Sequence, residues 1–160
     1  MMVGPMAGWG DCENSEIILN DPLMIAEISP RLEDHNVDKG GLSETLSALA
    51  DEAARHFEKV LEEEAGCYEH TIAVTHVPPS GKAAWFRCKT SSDDFVPYFA
   101  CKVIGDVLTR IMQAHRQSKL TVLCGHTRGG GEIQVLDNLR VLTVEGRYRQ
   151  PPLDRILEFE

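Results

Sequence analysis

KLTVLCGHTRGGGE, residues 119–132, is an apolar run that empties into a glycine-rich loop. Leu120 to Cys124 is short, rich in aliphatic residues and halted by Gly125, the pattern of a buried strand. Upstream, HTIAVTH at residues 70–76 has the same character and is stopped by Pro78 and Pro79. Between the two lies a helical stripe. Pro97 suits a first helical turn, and Phe99, Val103, Val107 and Ile111, with Ile104, Leu108 and Met112, make an apolar face wide enough to lie on a sheet. Strand, helix, strand predicts a parallel pair joined by a right-handed crossover.

Working outward, Leu42, Leu46, Leu49, Ala53, Phe57, Val60 and Leu61 recur at intervals of mostly three and four. Glu44, Asp51, Glu52, Arg55, Glu58, Glu62 and Glu63 occupy the other side, so this is an amphipathic helix ending near Gly66. A loop of roughly twenty residues, from Val77 to about Val96, carries Trp85, Phe86, Cys88, Asp93 and Asp94; loops of that length are often functional. Beyond the glycines, Glu132–Leu136 and Arg140–Val144 read as a hairpin turning at Asp137-Asn138. Arg155 to Glu160 alternates as an edge strand would. Near the amino terminus, Glu16–Asn20 reads as a strand and Pro22–Ser29 as a short helix. The expected fold is α/β: a βαβ unit, a hairpin and an edge strand within one domain, residues 1–160.

Composition narrows the functions. The 42% hydrophobic and 26% charged content is that of a globular chain. A net charge of −9 opposes general binding to nucleic acid or anionic lipid. The apolar runs are too short to span a bilayer, and MMVGPMAGWGDCEN lacks the basic and apolar parts of an export leader, which points to the cytoplasm. The five cysteines, at 12, 67, 88, 101 and 124, form no CxxC pair, so reduced thiols are expected. Cys124 precedes His126 by two residues, at the end of the apolar run, and a buried, inert thiol is the expectation there.

Each predicted strand delivers a histidine at its carboxyl end, His76 after Val74-Thr75 and His126 after Cys124-Gly125. Ligands bind at that edge of open α/β sheets. On strands about 4.8 Å apart, two imidazoles can reach one ion through bonds of roughly 2.0–2.1 Å. The residues alone leave two readings open: a metal-binding pair, or two strand-end histidines bonded to loop carbonyls. Gly125 would permit a sharp turn, and Gly129, Gly130 and Gly131 a close ligand approach. Arg128 is either a phosphate contact, for which a guanidinium is suited, or a surface arginine. Trp85 and Phe86 either line a pocket or cover the sheet edge. His35, His56, His70 and His115 sit in polar or helix-surface contexts.

The order of Thr75-His76 ending a strand, a proline-containing loop, a helix, a second strand and Gly125-His126-Thr127 resembles the carboxyl-terminal half of the calcineurin-like metallophosphoesterases. The likeness runs from about Thr71 to Arg147. It implies part of an α/β/β/α sandwich and phosphatase-type hydrolysis of a phosphate ester, a small molecule or nucleotide. It also implies two divalent metal ions, manganese, iron or zinc, holding a hydroxide that attacks phosphorus. His76 and His126 would bind one of these ions.

The pattern is incomplete. The family's Gly-His-X-His box has Arg128 at its second histidine, and a guanidinium cannot ligate a cation. The Asp-X-His, Gly-Asp and Gly-Asn-His motifs do not occur between Met1 and Gly66, and Asp11 and Asn20-Asp21 read as solvated or turn residues. Three readings follow. The chain is the carboxyl-terminal portion of a phosphoesterase whose other ligands lie upstream or on a partner; a degenerate, non-catalytic phosphate-binding or interaction module; or an unrelated small α/β protein. Half a sandwich would leave sheet edges and an apolar face open, so a homo-oligomer is expected.

Overall fold

A computed structural model describes residues 39–86, 89–92, 95–127, 129–146 and 156–158. The amino-terminal strand and helix expected from the sequence, with Asp11, Asn20, Asp21, His35, Cys88, Asp93, Asp94 and Arg128, lie outside them. In chain order the elements are α1 (Lys39–Glu64), β1 (His70–Val74), a 3-10 turn (Gly81–Ala83), β2 (Trp85–Phe86), β3 (Lys89–Thr90), α2 (Val96–Phe99), α3 (Lys102–Ala114), β4 (Lys119–Cys124), β5 (Gly131–Leu136) and β6 (Leu139–Thr143). The class is mixed α/β.

Four strands form one sheet in the order β1-β4-β6-β5. β1 and β4 are parallel neighbours, as the crossover pattern predicts, with Ala73 opposite Val122. The hairpin forms as expected, β5 antiparallel to β6, and β6 then inserts parallel to β4 with Val122 opposite Val141. Alternation places Ala73, Val122 and Val141 on one face, which packs against Ala50, Ala53, Ala54 and Leu61 of α1 and Ile104, Leu108, Ile111 and Met112 of α3. Each large aliphatic side chain buried there contributes about 1.5–3 kcal/mol. Two helices thus cover one face of the sheet.

Four expectations need correction. The 70–76 segment does not form a strand buried on both faces: among the described residues β1 is the outermost strand of the sheet, and Ile72 and Val74 are 46% and 71% exposed. The segment from Pro97 to Met112 is not one helix, because Ala100 is extended (φ −143°, ψ 152°) and separates α2 from α3. The Cys101 N–H donates to the Pro78 carbonyl at 2.8 Å instead of to a helical partner, so a tertiary bond replaces a helical one. The long loop is structured, with its 3-10 turn capped by Ser80 and the short β2–β3 pair. Finally, Ile156–Glu158 is not a strand, and the rest of the expected edge strand lies outside the described residues.

Candidate functional site

His76 follows β1 and His126 follows β4, so parallel pairing sets both at the same edge of the sheet. The strands are locked in step there: Thr75 N–H donates to Leu123 O at 2.9 Å, and Gly125 N–H to His76 O at 3.1 Å. As a result, His126 Nδ1 lies 3.0 Å from His76 Nε2, with ring centroids 4.8 Å apart. His76 is exposed and His126 half-buried, leaving the pair open to solvent.

The sharp turn falls on His126 and not on Gly125. His126 has φ 68°, the left-handed region, and Thr127 N–H donates across it to Gly125 O at 2.8 Å. A bond from i+2 to i around a positive φ is of γ-turn type, uncommon and unfavourable for a side chain with a Cβ. Such conformations persist where surrounding contacts over-determine them. Here the imidazole supplies contacts: Nε2 lies 3.2 Å from the Tyr98 carbonyl, and the ring meets Phe99 edge-on at 5.7 Å.

The Tyr98 carbonyl decides the histidine's chemistry. A carbonyl oxygen only accepts, so Nε2 of His126 carries the proton, and in the neutral ring Nδ1 keeps its lone pair toward His76. Nδ1 then accepts from His76 Nε2–H, or both nitrogens face a common ion if the His76 proton moves to its Nδ1. A carbonyl fixing the tautomer of a ligating histidine is a recurrent feature of metal sites. Tyr98 lies in the last turn of α2, and the extended Ala100 stops the helix there, so no continuous helix carries the Lys102 N–H, four residues on, to its oxygen. A backbone carbonyl has no signature of its own in sequence, and nothing local to Tyr98 marks this one.

Two imidazole nitrogens bound to one ion at about 2.0–2.1 Å lie roughly 2.9–3.4 Å apart for tetrahedral or octahedral angles. The 3.0 Å separation therefore fits a shared divalent ion. Two ligands make a weak site, and among the described residues no group of three His, Cys, Asp or Glu side chains could hold a metal.

Around the pair, the glycines approach protein. A Cβ on Gly129 would lie 2.4 Å from the Trp85 carbonyl oxygen, and one on Gly131 2.2 Å from the Trp85 indole. The expected approach of the glycine loop to a ligand is thus, at these two positions, an approach to Trp85. This favours the covering role for that tryptophan. Cys124 is buried; desolvation raises its thiol from 9.0 to about 11, opposed by the Thr143 hydroxyl at 3.3 Å. A buried, unreactive thiol is what the sequence leads one to expect.

No family model matches the chain, and neither a curated protein nor a solved structure matches it.

Proposed function

We propose that the chain carries part of a metallophosphoesterase-type site, in which His76 and His126 hold one divalent ion, manganese, iron or zinc, and the remaining ligands come from upstream sequence or a partner. One observation supports this reading above the rest: the two facing nitrogens are 3.0 Å apart, and the second nitrogen of His126 is at a carbonyl. When bound, such an ion polarises a phosphate ester and lowers the pKa of water. The chain's own residues hold the imidazoles at the sheet edge, fix the His126 tautomer through Tyr98 and present the open face of the pair to substrate. Arg128, two residues on, suits a phosphate oxygen of a small ester or nucleotide. The larger α/β/β/α sandwich belongs to the same proposal.

The second reading, a phosphate-binding or interaction module without catalysis, draws on Arg128 standing where the resemblance expects a histidine ligand. Metal titration and manganese-stimulated hydrolysis of a generic phosphate ester, on the wild type, His76→Ala and His126→Ala, separate the two. Under the first reading both variants bind manganese or zinc at least ~10–100-fold more weakly and lose turnover. Robust turnover that survives in His126→Ala would sink the site assignment. Phosphate binding that needs Arg128 but no metal would establish the second reading.

A further inference from the structure

We propose that the open edge of β1 is an acceptor for a strand, and that its occupant is this chain's own segment Glu16–Asn20. Thr75 N–H and Glu69 C=O both engage β4 or the residue leading into it, at 2.9 and 2.7 Å. By alternation, Ile72 and Val74 turn their N–H and C=O groups away from β4, toward the edge. Among the described residues β1 pairs only with β4. Beside this edge runs a groove of about 660 Å³, lined on the α1 side by Phe57, Val60 and Leu61 together with His56 and Glu64, and opposite by the stretch from Thr71 to His76.

Its surface is incomplete in three independent ways. Val60, Ile72 and Val74 are large apolar side chains exposed at 40%, 46% and 71%. Backbone donors and acceptors at Ile72 and Val74 meet no strand among the described residues and so form a template for another strand. Thr71 Oγ1, also in the groove lining, is buried without a hydrogen-bond partner. An added strand answers all three, covering the aliphatics, pairing the ladder and bringing backbone groups toward Thr71.

The length of chain before α1 identifies the occupant. Thirty-eight residues precede Lys39, and within them Glu16-Ile17-Ile18-Leu19-Asn20 is a five-residue stretch with three apolar residues at its centre that matches β1 in length. Residues 21–38 can span up to ~60 Å when extended, whereas α1 is only about 39 Å long at 1.5 Å per residue. The segment therefore reaches the groove from the start of α1. Tethering also favours it over a second copy, since a linked segment acts at an effective concentration near the millimolar range. A second copy would further bring its own α1 close, with Glu58, Glu62, Glu63 and Glu64 toward the same acidic helix.

Residue-resolved hydrogen exchange on the full chain, with light scattering on the same sample, tests this. The Ile72 and Val74 amides should exchange at least ~100-fold more slowly than an unpaired edge, in a monomer and independently of protein concentration. Ile18→Pro should remove that protection while Val122 and Val141 in the sheet centre stay protected, which reports that the fold is intact. If Ile18→Pro also unprotects the centre, Glu16→Pro at the segment's end serves as the milder variant. A peptide of residues 15–21 added to the proline variant should restore protection. Unprotected Ile72 and Val74 amides in the wild type would overturn the proposal. So would protection that survives both proline variants, or protection that appears only in a concentration-dependent dimer, which would make a second copy the occupant.

Discussion

Burial gives Cys124 a pH signature that can be measured. Its thiol is raised from 9.0 to about 11, so the folded state holds a proton that the unfolded chain releases near 9. Its contribution is therefore complete below pH 9 and lost as pH rises through 11. Stability should fall across that window by up to ~1.4 kcal/mol per pH unit, and urea unfolding of Cys124→Ala should lack this component. Thiol alkylation at neutral pH should reach the exposed Cys67 well before Cys124. At His126 the unfavourable backbone is a second residue-scale marker: His126→Gly relieves the φ of 68° but removes the imidazole. Its metal binding should fall as in His126→Ala while its stability falls less.

Elements are held in register by a few polar and steric contacts that neither periodicity nor propensity reveals. The Asn138 side-chain amide donates to the carbonyls of Met112, His115 and Ser118 at 2.9, 3.1 and 3.0 Å, tying the β5–β6 turn to the end of α3 and the start of β4. Asn138→Ala should lower unfolding free energy by ~1–3 kcal/mol. Asn138→Asp should do more damage, because a carboxylate would face three carbonyl oxygens. At the other end of α3, a Cβ on Gly105 would lie 1.9 Å from the Pro79 carbonyl oxygen. Gly105→Ala, ordinarily favourable in a helix, should here destabilise by ~1–3 kcal/mol. It should also weaken metal binding, since Pro78 and Pro79 directly extend the His76 segment. In a denaturant series the change should appear in the midpoint with the slope preserved. From the sequence, Asp137-Asn138 is legible as a turn, whereas nothing in the neighbouring residues marks Gly105. Their partners are 20 to 26 residues away in the first case and across a loop in the second, beyond what local spacing encodes.

For the whole molecule, the net charge of −9 predicts no mobility shift with duplex DNA or RNA at physiological salt. A band retarded in proportion to protein concentration would contradict this. Ion pairs contribute little to holding the helices together: Arg110 of α3 reaches Glu58 and Glu62 of α1, yet these groups are substantially exposed. Such pairs are worth about 0–1 kcal/mol, so the shared apolar face dominates. No helix among the described residues is long and apolar enough to cross a membrane.

Local pattern accounts for the parallel strands, the hairpin, the amphipathic α1 and the placement of His76 and His126 at equivalent strand ends, because each rests on periodicity or on a breaker next to the residue concerned. Only tertiary contacts settle that β1 is the outermost strand among the described residues, that the helix breaks at Ala100, that His126 and not Gly125 takes the positive φ, and that the Tyr98 carbonyl sets the tautomer. Each of these depends on which surface or hydrogen-bonding group arrives from a distant part of the chain. That arrival is a competition between contacts, and local pattern does not record its outcome.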